Sequence, residues 1–180
     1  MRKTKAIEVK ILEINPSELQ HRLDALGATC VFSGQVYAVK MDFPNGRLYS
    51  NESFIRIRTL GETTELTYKG PKEKETNLKI QPEIQVNTSD LEKTISIFEQ
   101  IGMIRVEEQR KHRSSYVLDN IKFDLDVPQE FPPLIEVEAP SRELVNKGVE
   151  QLGYTMAQTS NMTTTEMLAY YTTRRIKCPN

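Results

Sequence analysis

The stretch that decides the fold is "KAIEVKILEI", Lys5 to Ile14. It alternates as a β-strand does, with Ile7, Val9 and Ile11 on one face and Glu8 and Lys10 on the other. An acid beside a base is ordinary on a strand face that meets water. On an enclosed face each charge needs a partner.

The pattern recurs along the chain. Arg56 and Arg58 alternate with Ile55 and Ile57, and Thr67 and Lys69 with Leu66 and Tyr68. Glu83 and Gln85 alternate with Ile84 and Val86, and Lys111 is paired with Arg113. Asp124 and Asp126 alternate with Phe123, Leu125 and Val127, and Glu136 and Glu138 with Ile135 and Val137. Several strands carry one sign of charge. Two like charges about 6 Å apart repel by roughly 3 kcal/mol at an effective dielectric near 20, and by under about 1 kcal/mol in open water. An open sheet with one wet face tolerates such pairs. A sheet curled with its charged faces inward also accommodates them, provided cations and carboxylates interleave. That interior would hold Lys10, Arg56, Arg58, Lys69, Lys111 and Arg113 with Glu8, Glu83, Asp124, Asp126, Glu136 and Glu138. Arginine forks and lysines suit a polyphosphate, and carboxylate oxygens suit Mg²⁺ or Mn²⁺.

Around these strands the chain predicts helices. "NPSELQHRLDALGA" has Asn15 as cap, Pro16 at the first turn and Gly27 as stop, giving a helix over Ser17 to Leu26 with Leu19, Leu23 and Leu26 inward. Ser89 to Ile101 presents Leu91, Ile95, Phe98 and Ile101 on one face. "SRELVNKGVEQLG" starts from Ser141, and "NMTTTEMLAYY" reads as a closing helix with Met162, Met167 and Leu168 on the core. Hairpins are expected at Ser53–Thr59 with Thr64–Lys69, turning at Gly61-Glu62, and around Asp119-Asn120. Further strands are expected at Lys79–Asn87 and Leu134–Ala139. The class is α+β, largely antiparallel. One domain over 1–180 is expected, with a core at about 5–170 and a tail at about 171–180.

Composition narrows the partners. Hydrophobic residues at 38% and charged residues at 27% fit neither a membrane span nor a disordered chain. A net charge of -1 argues against a general nucleic-acid binder, and no aromatic platform stands on the charged strands. Tyr68 and Tyr116 read as packing residues. No apolar run spans a bilayer, so no membrane partner is expected. Cys30 and Cys178 have no metal spacing and fit reduced thiols in the cytoplasm, with Cys30 expected in the core. His21 and His112 form no metal pair, and no GxxxxGK loop is present.

Seven segments then carry a family resemblance: "IEVKILEI", "FIRIRTLG", "ELTYKGP", "PEIQV", "RKHRSSY", "FDLDVP" and "LIEVEA". Their order resembles the CYTH superfamily of triphosphate tunnel metalloenzymes, over about Lys5 to Tyr170, and most of all its class IV adenylyl cyclase-type proteins. The resemblance implies a closed eight-stranded antiparallel β-barrel with helices outside. It implies divalent metal, Mg²⁺ or Mn²⁺, on Glu8, Asp126, Glu136 and Glu138. It implies triphosphate contacts from Lys10, Arg56, Arg58, Lys69, Lys111 and Arg113, with Glu83 as a further charged tunnel position. Lys10, Arg56, Lys111 and Arg113 would act on the reacting phosphate. Asp124 matches no fixed family position and reads as a solvated or secondary carboxylate. The implied reaction is ATP to cyclic AMP and pyrophosphate. A triphosphatase and a polyphosphate binder without turnover are the alternatives, and a homodimer is compatible. Three departures stand out. Ala6 replaces the first acid of E-x-E-x-K. Gln85 replaces an acid and Gln81 a base. "YFDTP" reads "KMDFP", keeping Asp42 and Pro44.

Overall fold

The computed structural model describes residues 4–71 and 79–177. Within them the chain runs β1 (Thr4–Leu12), α1 (Pro16–Ala25), β2 (Thr29–Asp42), β3 (Phe54–Leu60), β4 (Thr63–Lys69) and β5 (Lys79–Thr88). It continues α2 (Leu91–Gln100), β6 (Ile104–Leu118), β7 (Ile121–Pro128), β8 (Leu134–Ala139), α3 (Arg142–Gln151) and α4 (Thr164–Lys177). The eight described strands form one strongly curled antiparallel sheet in the order β1-β5-β4-β3-β2-β6-β7-β8. β1 pairs with β5 through Thr4–Glu8 and with β8 through Ile7–Leu12. The α+β class is the one expected.

Local signals place the elements. Asn15 accepts from the N–H groups of Ser17 and Glu18, with Pro16 opening the first turn of α1. Ser141 caps α3 by accepting from Leu144 N–H, and Asp90 caps α2 from Lys93 N–H. Gly61 turns β3 into β4 with φ +58, a conformation that glycine adopts at little cost.

The apolar strand residues point outward, and the helices cover them. α1 and α3 pack Leu19, Leu23, Val145 and Val149 on Val9, Ile11, Phe123, Ile135 and Val137. α2 sets Ile95 on Val39, Met41 and Ile57. α4 seats Met167 and Tyr171 against Phe131 and Leu134. This outward burial of every second residue turns the charged residues to the concave side. Gly148 brings α3 close to the sheet: a Cβ there would lie 2.8 Å from Val137 Cγ1 and 2.9 Å from Ile121 Cγ2. Gly148→Ala is expected to cost about 1–3 kcal/mol of stability through overpacking, read as a lower urea midpoint.

The structure corrects several expectations. β2 carries no polar–apolar alternation, because its inward positions include small or apolar Gly34, Val36 and Ala38, yet it bridges β3 and β6. The expected tail from residue 171 is the second half of α4, and Tyr171 is buried. Cys30 is exposed rather than in the core. Ile101 lies at the C-cap of α2 and is exposed, since the helix ends before its side chain can turn to the sheet. Tyr116 packs in the core, but Tyr68 is partly exposed on a stretch of β4 facing Ile84 of β5, which is itself exposed. Asp42 is a loop clamp. Its carboxylate accepts from the N–H groups of Phe43, Leu48 and Tyr49 at 2.7, 2.8 and 2.9 Å.

Candidate functional site

The concave face encloses a cavity of about 710 Å³. All six expected cations line it: Lys10, Arg56, Arg58, Lys69, Lys111 and Arg113. Glu8, Glu83, Asp124, Glu136 and Glu138 line it with them. Asp126 sits beneath this wall and borders a smaller pocket with Phe131 and Met167. Ala6 pairs with Gln81 in the β1–β5 ladder. The side chains of Ala6, Lys79 and Gln81 lie outside the described residues.

The acid and base of the opening strand form a buried pair. Lys10 Nζ lies 2.8 Å from Glu8 Oε1 and 3.1 Å from Glu136 Oε1. Burial alone would lower the ammonium's pKa, and the charges of Glu8 and Glu136 raise it above its ordinary value. Arg113 is more heavily engaged. Its guanidinium donates to Asp126 through Nε and Nη2 at 2.6 Å, to Asp124 through Nη1 at 2.6 Å and to Glu136 through Nη2 at 2.8 Å. Burial opposes its charge, and Asp126, Asp124 and Glu136 hold its pKa well above the usual value. Lys111 Nζ reaches Asp126 Oδ2 at 2.5 Å. Arg58 pairs with Glu65 at 2.6 Å and Lys69 with Glu83 at 3.1 Å.

Asp124, expected to be a solvated or secondary carboxylate, is buried rather than solvated and accepts from Arg113 and from Ser115 Oγ at 2.5 Å. Burial pushes its pKa up, but the Arg113 and Lys122 charges outweigh this and hold it below the ordinary value.

Arg56 differs from these cations. Among the described residues it forms no ion pair, and its enclosed Nε has no hydrogen-bond partner. Thr67 sits opposite Arg56 across β3 and β4, is 0% exposed, and its Oγ1 also lacks a partner. Burial and the neighbouring Arg58 push the Arg56 pKa down to about 10. The acid expected two residues after Glu83 is Gln85, which faces Thr67 and brings no charge. A second tension lies across β1 and β8, where Glu8 stands opposite Glu138. Burial raises the Glu138 pKa, and Glu8 adds to the rise against the opposing Lys122.

Lys40, Glu65, Glu107 and Lys122 also line the cavity, unforeseen from the residues alone. The signal for three of them was present. The parity of Thr67 and Lys69 carried back along β4 reaches Glu65, that of Lys111 and Arg113 along β6 reaches Glu107, and that of Asp124 along β7 reaches Lys122. Among the described residues no three His, Cys, Asp or Glu side chains converge as a group that could hold a metal ion. No helix of the described residues is long and apolar enough to cross a membrane.

Fold and wall together define an α+β protein whose curled antiparallel sheet has a concave face built from interleaved cations and carboxylates. The family model of the CYTH domain matches residues 4–164, and the chain belongs to the CYTH domain family. Solved structures share the fold. A Vibrio parahaemolyticus protein described as a candidate adenylate cyclase superposes with a TM-score of 0.83 at 17% identity, covering 93% of this chain and 99% of its own. A Pyrococcus horikoshii protein gives 0.77 at 19% identity, covering 91% and 99%. A Hippeastrum protein, described as a candidate adenylyl cyclase with a dominant triphosphatase activity, gives 0.66 at 17% identity, covering 92% and 96%. At these identities the likeness is one of fold. No curated protein matches the chain.

Proposed function

We propose that the curled sheet is a closed barrel whose cavity is a triphosphate tunnel, and that the protein is a metal-dependent enzyme acting on a nucleoside triphosphate. The preferred reaction is that of a class IV adenylyl cyclase. The observation that carries this reading is Arg56: a lining guanidinium without an ion pair among the described residues, beside a Thr67 hydroxyl without a partner among them, in a wall whose other expected cations have carboxylate partners. An oxyanion satisfies both groups. Closure is supported by β1, which pairs on both of its edges.

The residues fit a divalent cation brought in with the phosphate chain. Glu8 and Glu138 are paired across β1 and β8, and a divalent cation held by them would offset the burial and the like charge of Glu8 that raise the Glu138 pKa. Mg²⁺ is commonly held by one or two carboxylates together with phosphate oxygens and water, so a ready group of three protein ligands is not needed. Glu8, Glu138 and Glu136 would hold it. Bound there, the metal neutralises charge on the phosphate oxygens and the leaving group. Asp126, a further ligand in the family pattern, borders the smaller pocket rather than the cavity, and its two oxygens hold Arg113 and Lys111 in position.

Lys10, Arg56, Arg58, Lys69 and Lys111 bind and orient the phosphates, and Arg113 fixes the carboxylates around them. In the cyclase reaction the ribose 3′-oxygen forms a bond to the α-phosphorus, the bond to the β-phosphate oxygen breaks, and pyrophosphate leaves. Hydrolysis at the γ-phosphorus by water is the second reading, favoured by the triphosphatase activity described for the Hippeastrum protein of the same fold. A cytoplasmic setting supplies both ATP and Mg²⁺. ³¹P NMR of the protein with ATP and Mn²⁺ or Mg²⁺ tests this. Pyrophosphate with cyclic AMP is the expected result, and orthophosphate with ADP moves the assignment to a triphosphatase. Binding without turnover, also after Ala6→Glu restores the missing acid, would reject an enzyme.

A further inference from the structure

Lys40 stands where the CYTH pattern has the tyrosine of "YFDTP". It projects from β2 onto the cavity wall, paired in register with Arg56 of β3 on one side and Glu107 of β6 on the other. Its Nζ lies 2.6 Å from Glu107 Oε1 and donates to Thr165 Oγ1 at 3.1 Å. The Thr165 hydroxyl in turn donates to Glu107 Oε2 at 2.7 Å. The Lys40 and Glu107 side chains are each 15% exposed. The triangle therefore joins the cavity wall to the first turn of α4. Burial lowers the Lys40 pKa and the nearby charges of Arg56 and Lys10 add to that, against a rise from Glu107. Lys40 thus sits among like charges with one carboxylate to balance it.

We propose that Lys40 is a further phosphate-binding residue of the tunnel, and that Glu107 is its built-in competitor, displaced from the ammonium when a phosphate chain enters. This rests on the reading of the cavity as a triphosphate site. Three features carry it. An oxyanion drawn to Arg56, which has no ion pair among the described residues, arrives next to Lys40, because the two residues are directly paired across β2 and β3. Lys10 and Arg113 are each held by two or more carboxylates, whereas Lys40 is held by one. Glu107 also has somewhere to stay: on losing Lys40 it keeps the Thr165 hydroxyl. A carboxylate and a phosphate oxygen accept from the same ammonium, so occupation by one excludes the other. Glu107 then sets how tightly the tunnel binds, and only through Lys40.

Calorimetric titration of Mg²⁺–tripolyphosphate at fixed ionic strength tests this on four proteins: parent, Lys40→Met, Glu107→Gln and the double variant. Lys40→Met is expected to weaken binding about tenfold, and Glu107→Gln to tighten it about three- to tenfold, as for one charge-assisted hydrogen bond lost or freed. The double variant is expected to bind like Lys40→Met, since Glu107 has nothing left to compete for. Equal tightening by Glu107→Gln in both backgrounds would mean that Glu107 acts through the general field of the cavity, and overturns the proposal. Parent-like binding by Lys40→Met overturns it too. A parent that gives no binding heat removes the triphosphate reading itself, a distinct failure. Each variant's melting curve is recorded first; where one does not fold, Lys40→Gln or Glu107→Ala takes its place.

Discussion

Arg113→Met is expected to lower stability by about 3–5 kcal/mol, the largest single loss in the wall of the curled sheet. The guanidinium is 3% exposed and makes four short hydrogen bonds to three carboxylates on two strands. Its removal leaves Asp124, Asp126 and Glu136 sharing Lys122, Lys111 and Lys10, each already in contact with one of them. None of these lysines offers a planar fork. Arg113→Lys is therefore expected to recover less than half of the loss, because one ammonium cannot reach both oxygens of Asp126 and also Asp124. Urea titration of the three proteins measures this, and at about 2–4 °C per kcal/mol the melting temperature of Arg113→Met falls by roughly 6–20 °C. The same network sets an acid limit. The folded-state pKa of Asp124 lies below its unfolded value, so its contribution is fully present above about pH 4 and is lost as the pH falls through the folded pKa.

Arg56→Met is expected to do the reverse to stability. The Arg56 charge is enclosed, faces Arg58 and lacks an ion pair among the described residues, so the empty protein carries it at a cost. A methionine fills similar volume without that charge. The empty protein should gain about 1–2 kcal/mol, or roughly 2–8 °C. Triphosphate affinity should fall about 10- to 100-fold, the scale of a lost charged hydrogen bond or two. A site residue whose removal stabilises the empty fold and weakens ligand binding is one held in place for the ligand. If Arg56→Met destabilises the empty protein, an unseen partner already satisfies the guanidinium, and its role is structural.

The alternation in "KAIEVKILEI" and its counterparts was enough to read the strands and to place Lys10, Arg56, Arg58, Lys69, Lys111 and Arg113 on one enclosed wall. Period-two burial makes face assignment nearly automatic once the strand is recognised. β2 escaped for the same reason. Its inward residues Val36 and Ala38 are as apolar as its outward Val39 and Met41, so the alternation that marks a half-polar strand is missing. With β2 went Lys40, whose neighbours on the strand give no hint that it faces charges. The partner of each charge was also out of reach. Register alone decides that Glu136 meets Lys10 while Glu138 meets Glu8, and register depends on turn geometry and helix packing across the whole sheet. Asp124 shows the consequence: in sequence it reads as a solvated or secondary carboxylate with no partner assigned, and the β6–β7 pairing sets it beside Arg113 and Ser115.

The central claim, that the charged cavity is a tunnel for a metal-bound triphosphate, is tested most directly by scanning calorimetry of the parent protein. It is run with Mg²⁺–tripolyphosphate and with sodium chloride at matched ionic strength. A saturable rise in melting temperature of about 5–10 °C over the salt control is predicted, corresponding to about 2.7 kcal/mol at a ligand concentration a hundredfold above Kd. A shift no larger than that of the matched salt would contradict the claim.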